Sequence, residues 1–136
     1  ENDFIARLDR RIAELMHWPV ENGEGIQILH YPVGGQYKAH FDYFPPDEPG
    51  SLVHLARGGQ RVSTLVMYLS DVEEGGETTF ASIKLSVTPK KGSAVYFEYA
   101  NSRGQVDPLS LHSGTPVRKG EKWIATKWMR ERRYGY

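Results

Sequence analysis

The spacing of the apolar residues changes once along the chain, and this change constrains the fold more than any other feature. From Asp3 to Met16 the apolar side chains recur on one helix face, which predicts an amphipathic helix capped by Asn2 or Asp3 and ended by Pro19. Short runs rich in β-branched and aromatic residues follow, with Gly, Pro, Asn and Asp between them, at 26–31, 61–69, 94–99 and 122–129. A short second helix is predicted near 49–55. One helix and many short strands predict a mainly β fold, a sandwich or jelly-roll barrel with the helix packed on it.

Length and charge limit the kind of protein. The 136 residues suffice for one compact core, and we expect residues 1–136 to form a single domain from which upstream residues have been trimmed. Lys plus Arg and Asp plus Glu number 17 each, which argues against a nucleic acid or an anionic membrane bound by overall charge. No apolar run is long enough to span a bilayer. We expect a cytoplasmic protein, and the sequence leaves the oligomeric state open.

A closely spaced histidine and aspartate indicate a metal site. The chain has no cysteine, so disulfides, iron–sulfur clusters and thiol nucleophiles are excluded, and a metal would be held by His, Asp or Glu. His40 and Asp42 stand two residues apart in a strand-like segment, and residues at that spacing face the same side of a strand. One further histidine would complete two imidazoles and one carboxylate, the usual ligand set of non-haem Fe(II) oxygenases.

The best candidate for the further histidine is His112. His17 lies at a helix end, His54 in a loop and His30 beside Tyr31 on a strand, so each is interpreted as a solvated or structural residue. His112 lies on a β-type segment, and 118–121 is interpreted as a hairpin turn that leads into the last strand. His112 and Lys122 would then lie on two paired strands and open into one cavity. A buried lysine is costly without an anionic partner, which a substrate carboxylate can supply.

The motifs together resemble the prolyl 4-hydroxylase family of 2-oxoglutarate, Fe(II)-dependent dioxygenases, and most closely its small plant, algal and bacterial members. The family pattern stands at Tyr31, Gly34, Tyr37, His40 and Asp42. It continues through 59–61, 67–78, 89–92, 110–114 and 120–128. Each motif is weak alone, whereas their order and spacing are specific.

The resemblance implies a double-stranded β-helix, a cupin-like jelly roll, and an oxidoreductase that hydroxylates peptidyl proline at C4. Its cofactors would be Fe(II), 2-oxoglutarate, O2 and the reductant ascorbate, with succinate and CO2 as co-products. The metal ligands implied are His40, Asp42 and His112, and Lys122 would pair with the distal carboxylate of 2-oxoglutarate. The resemblance also implies three further cofactor-site residues, Tyr31, Thr78 and Trp128, and three residues that face a proline-containing peptide, Tyr37, Arg61 and Glu24.

Two departures from the family leave the substrate open. Residues 114–116 read Gly-Thr-Pro, whereas the family's endoplasmic-reticulum members often have a cysteine near the second metal-binding histidine. The segment between Thr79 and Pro89 is also shorter than in many plant and algal members. A 2-oxoglutarate oxygenase acting on another amino acid or side chain is therefore an alternative. A non-catalytic cupin-type metal-binding module is a remote one. A zinc hydrolase is disfavoured because no helical His-Glu-x-x-His motif is present.

Overall fold

The N-terminal segment forms the long helix that its apolar spacing predicts. The computed structural model describes residues 2–134, and helix α1 covers Asp3–Met16. The side chain of Asn2 accepts a hydrogen bond from the amide of Ile5 at 2.9 Å, which confirms the predicted cap. His17 ends the helix in the left-handed conformation at φ 59°, two residues before Pro19.

Two four-stranded antiparallel sheets form the body of the molecule. Their orders are β1-β10-β3-β7 and β2-β8-β5-β6, while β4 and β9 form a separate pair. The strands are β1 Gln27–Tyr31, β2 Tyr37–His40, β3 Arg61–Tyr68, β4 Glu74–Gly75, β5 Thr78–Phe80, β6 Leu85–Val87, β7 Ala94–Glu98, β8 His112–Gly114, β9 Val117–Lys119 and β10 Lys122–Arg130. Helix α2 covers Leu52–Ala56, and single 3₁₀ turns cover Val20–Asn22, Pro49–Ser51, Ala81–Ile83 and Pro108–Ser110. This is the predicted jelly roll.

The two central strands of the first sheet, β3 and β10, are largely buried on both faces. Helix α1 packs on the outer face of this sheet, where the cluster of buried residues consists of Ile12, Ala13, Met16, Val62, Leu65 and Met129. A buried ion pair between Lys127 and Asp9, at 2.9 Å, joins β10 to the helix. The inner face contributes Val66, Tyr68 and Ile124 to the core between the sheets. Among residues 2–134, no helix is both long and apolar enough to cross a membrane.

The four strands predicted from composition are confirmed to within one residue at each end. The predicted pairing of the last strands is wrong. Strand β8, which carries His112, pairs with β2 and β5, whereas β10, which carries Lys122, pairs with β1 and β3. The segment 118–121 is not a hairpin turn between paired strands, because β9 pairs with β4 and the chain turns at Gly120, with φ 89°, without pairing to β10. His112 and Lys122 therefore belong to opposite sheets that face each other.

Candidate functional site

Three side chains from one end of the second sheet converge on one point. His40 is the last residue of β2 and stands opposite His112, the first residue of β8. Asp42 lies two residues beyond the end of β2, where the chain has already left the strand. Its Oδ1 atom is 3.3 Å from Nε2 of His40 and 3.4 Å from Nε2 of His112. One ligand atom from each residue lies within 4.8 Å of the other two.

Backbone carbonyls fix the orientation of both imidazoles. Nδ1 of His40 is 2.7 Å from the carbonyl oxygen of Lys38, and Nδ1 of His112 is 2.8 Å from that of Ser110. A carbonyl oxygen only accepts, so each Nδ1 donates to its carbonyl, and Nε2 of each ring faces Oδ1 of Asp42. Such a second hydrogen bond is what orients metal-binding histidines.

The arrangement attracts positive charge. Burial alone would raise the pKa of Asp42, but the two histidines and Thr64 hold it far below its usual range. Burial alone would lower the pKa of His112, but Asp42 raises it above its ordinary value. Two imidazole nitrogens and one carboxylate oxygen that converge in this way fit a divalent iron ion.

The other oxygen of Asp42 is held within the protein. Oδ2 accepts a hydrogen bond from Oγ1 of Thr64 at 2.8 Å and another from Nε1 of Trp128 at 3.2 Å. Trp128, predicted as a cofactor-site residue, lines the cavity and also bonds the carboxylate of Asp42. Thr64 was not predicted. Its position on the inner face of β3, in alternation with Val66 and Tyr68, is the signal that could have identified it.

Lys122 points into the cavity beside the three convergent side chains. The residue is only 4% exposed, and its Nζ lies 5.2 Å from the ring centroid of Tyr31, which pairs with it across β1 and β10. Burial lowers the pKa of Lys122, and the charge of Glu77 only partly opposes this. Within residues 2–134, no ion pair joins Lys122 to a carboxylate. A buried lysine in this situation favours an anionic ligand.

Glycine and hydroxyl groups complete this end of the cavity. A side chain at Gly114 would come within 3.4 Å of the Lys122 ammonium, so glycine leaves room around it. Thr78 lines the cavity as predicted, and its Oγ1 is 2.7 Å from the hydroxyl of Tyr68. Tyr68 is 1% exposed and was not predicted, although it too belongs to the inner face of β3.

The three residues predicted to face a peptide occupy different positions. Tyr37 is 47% exposed and stacks on the ring of His40 with centroids 3.8 Å apart, so it borders the cavity opening. The guanidinium of Arg61 stacks 4.2 Å from the ring of Trp128 and donates to the backbone carbonyl of Asp42 at 3.3 Å.

Glu24 lies behind Arg61, and both of its oxygens are already bonded. They accept hydrogen bonds from Nε and Nη2 of Arg61 at 2.6 and 2.9 Å, and one of them also accepts from Nε of Arg130 at 2.7 Å. The structure therefore places Arg61 at the wall of the site, whereas Glu24 contacts Arg61 through Nε and Nη2 rather than through the Nη1 that donates to Asp42.

Comparison with known proteins agrees with this geometry. Residues 26–130 match the family described as the 2OG-Fe(II) oxygenase superfamily. The chain belongs to this superfamily. Both candidate histidines, Asp42 and Lys122 lie inside the matched range.

Several members of the 2OG-Fe(II) oxygenase superfamily are similar over nearly the whole chain. Probable prolyl 4-hydroxylase 10 of Arabidopsis thaliana is 42% identical over 96% of this chain and 50% of its own length. Human prolyl 4-hydroxylase subunit alpha-1 is 40% identical over 97% of this chain and 24% of its own length. The chain thus spans about half the length of the plant relative.

A solved structure shows the same fold. The viral collagen prolyl hydroxylase from Paramecium bursaria Chlorella virus-1, solved as a 2OG complex, matches with a TM-score of 0.80 and 32% identity. The match covers 96% of this chain and 74% of that one. The double-stranded β-helix expected from the resemblance is thereby confirmed.

Proposed function

We propose that this chain is the catalytic domain of a prolyl 4-hydroxylase that uses Fe(II), 2-oxoglutarate and O2. One observation carries the proposal: a convergent His40–Asp42–His112 set shares one cavity with a buried lysine that has no carboxylate partner among residues 2–134. The first can hold the metal and the second can hold an acidic co-substrate. The names of the relatives support proline as the residue oxidised.

The protein side chains have separate tasks in this proposal. His40, His112 and Oδ1 of Asp42 would hold the iron, which together with 2-oxoglutarate supplies the O2 activation needed to hydroxylate a C–H bond. Lys122 would pair with the distal carboxylate of 2-oxoglutarate, since a charge-assisted bond in a buried cavity gives both affinity and orientation. Tyr31 and Thr78 lie at the same end and would contact that carboxylate or the chain that leads to it.

The peptide would approach over the exposed side of His40. Tyr37 provides an aromatic surface there, and Arg61 and Trp128 form a cation–π pair on the site wall. A proline ring is apolar and flat enough to pack on such surfaces. Ascorbate would serve as the reductant that keeps the iron in its divalent state.

The proposal is tested by separating co-substrate turnover from product formation. Purified protein is incubated with Fe(II), 2-oxoglutarate and ascorbate, with proline-rich peptides present or absent. Succinate is measured, and the peptides are analysed by mass spectrometry with assignment of the hydroxyl position. We expect peptide-stimulated succinate release and 4-hydroxyproline.

Two outcomes would contradict different parts of the proposal. Binding of 2-oxoglutarate without any hydroxylated proline would refute the substrate and favour another amino acid or side chain. Absence of metal-dependent 2-oxoglutarate binding would refute the oxygenase assignment itself. A matched peptide with alanine in place of each proline serves as the control.

A further inference from the structure

A chain of two buried hydroxyl groups ends on the carboxylate of Asp42. The hydroxyl of Tyr99 is 2.7 Å from Oγ1 of Thr64, and Oγ1 of Thr64 is 2.8 Å from Oδ2 of Asp42. Thr64 is 0% exposed and Tyr99 is 2% exposed, so water does not compete for these bonds. Thr64 lies in the middle of β3, opposite Trp128 on β10 and Phe97 on β7.

The chemistry of the three groups fixes the direction of both hydrogen bonds. An ionised carboxylate only accepts, so the single hydroxyl proton of Thr64 is donated to Asp42. Thr64 then has only lone pairs to offer to Tyr99, and the phenol must donate. Each proton in this relay, defined as Tyr99 and Thr64, therefore points toward Asp42.

The relay determines which carboxylate oxygen of Asp42 is free to face the two imidazoles. Oδ2 receives the hydroxyl of Thr64 and the longer bond from the indole of Trp128, while Oδ1 faces the two imidazoles. A carboxylate held in this way cannot rotate about its own axis without breaking a buried hydrogen bond. Trp128 alone, at 3.2 Å, provides the weaker of the two restraints.

We propose that the Tyr99–Thr64 relay is a positioning device that makes Asp42 offer Oδ1 alone to a metal held with His40 and His112. The inference rests on the proposed metal site, and it adds two residues that do not touch the metal. Groups that hydrogen-bond a metal ligand typically change metal affinity about 10- to 100-fold when they are removed.

The test measures metal binding by the protein that carries no metal, independently of turnover. Mn²⁺ affinity is determined by calorimetry, and Co²⁺ is added to record its visible absorption spectrum. We expect Thr64→Val to lower Mn²⁺ affinity about 10- to 100-fold and to change the Co²⁺ spectrum. Thr64→Ser, which keeps the hydroxyl, should restore both. Tyr99→Phe should lower the affinity by a smaller factor, about two- to tenfold.

The double variant separates positioning from a merely structural role. Thr64→Val leaves the phenol of Tyr99 buried without a partner, so it also destabilises the fold. Adding Tyr99→Phe removes that unpaired group and should raise the unfolding temperature. It should not restore metal affinity, because the donor to Asp42 is still missing. Ser63→Ala, the neighbouring buried residue that pairs opposite Met129, is the matched control and should leave the affinity unchanged.

The outcomes distinguish this inference from the proposed function. A wild-type protein that binds no Mn²⁺ would refute the metal site itself. Wild-type binding with an unchanged affinity in Thr64→Val would overturn the relay, and so would an equal loss in Ser63→Ala. If Thr64→Val does not fold, Tyr99→Phe decides, and an unchanged affinity and Co²⁺ spectrum in that variant overturns the relay.

Discussion

The substitution Glu24→Gln should destabilise this protein strongly, although it changes a carboxylate to an amide of almost the same shape. Glu24 is the only acidic residue bonded to Arg61 and Arg130 in residues 2–134, and it joins the two arginines. Glutamine leaves one acceptor where the carboxylate had two. Its amide group would place N–H donors against guanidinium donors.

The expected loss in the free energy of unfolding depends on the hydrogen bonds that each arginine keeps in the variant. Nη1 of Arg130 still donates to the carbonyls of His54, Arg57 and Gly59, and Nη1 of Arg61 still donates to the carbonyl of Asp42. Removing one partner of a buried ion pair costs about 3–5 kcal/mol. Because these carbonyls continue to solvate both cations, we expect a value near the lower limit, about 3 kcal/mol.

Urea denaturation measures this loss directly. With a slope of about 1–3 kcal/mol per molar for a small protein, the midpoint should fall by roughly 1–3 M. Glu21→Gln is the matched control, since Glu21 is exposed and should stay within about 0.5 kcal/mol of the wild type. A loss below about 1 kcal/mol in Glu24→Gln would show that the two arginines do not depend on this carboxylate.

The pH dependence supplies a second check on the same carboxylate. Burial alone would raise the pKa of Glu24, but the hydrogen bonds and charges of Arg61 and Arg130 lower it below its ordinary value. A group with a lowered folded-state pKa contributes stability above its unfolded pKa and loses it as the pH falls through the folded value. The difference between wild type and Glu24→Gln should therefore be full at neutral pH and shrink below about pH 4.3. A difference that stays constant to low pH would refute the electrostatic explanation.

Four further predictions concern the cavity and one turn. Lys122→Met should raise the KM for 2-oxoglutarate roughly 10- to 150-fold, because a charge-assisted bond is worth about 1.5–3 kcal/mol, and Lys119→Met on the surface should not. Because burial lowers the pKa of Lys122, binding of 2-oxoglutarate should weaken as the pH rises through that lowered value, and a pH-independent dissociation constant up to about pH 10 would contradict this. Asp42→Ala should abolish Mn²⁺ binding in calorimetry, and retained binding would refute the three-residue site. Gly75→Ala should lower the unfolding temperature, because Gly75 has φ 83° and the added methyl group would overlap the carbonyl oxygen of Pro116; an unchanged temperature would show that the turn can adapt.

The sequence was sufficient to predict the elements with strong local signals. Helix α1 has regular apolar spacing and a capping residue, and the four longest strands have dense β-branched and aromatic composition, so their bounds came within one residue. Strands of two or three residues, such as β4 and β9, carry too few side chains to show a period. The pairing of β8 with β2 rather than with the last strand depends on contacts between residues far apart in sequence, and no local pattern encodes it.

Some residues of the candidate site could likewise be predicted from the sequence, and others could not. His40 and Asp42 were identified from their two-residue spacing in a strand-like segment, and His112 from its β-type segment. Lys122 was identified because a buried lysine needs an anionic partner. Thr64 and Tyr68 stand in the inward-facing alternation of β3, but threonine and tyrosine are ordinary strand residues, so this position alone does not assign their hydroxyl groups to the site. Only their mutual distances show that Thr64 bonds the carboxylate of Asp42, that Tyr99 bonds Thr64 and that Tyr68 bonds Thr78.

The two sheets contribute different kinds of group, and this explains how the site is kept rigid. The convergent His40, Asp42 and His112 come from the end of the second sheet, near β2 and β8. These two strands are short, and their pairing is irregular. The supports of the Asp42 carboxylate, Thr64 and Trp128, come from β3 and β10, the adjacent pair of long strands in the middle of the first sheet. The carboxylate of Asp42, just beyond a short strand, can therefore keep a fixed orientation, because its second oxygen is bonded to the most regular part of the fold. Metal affinity should then depend on the packing between the sheets as well as on the ligands themselves.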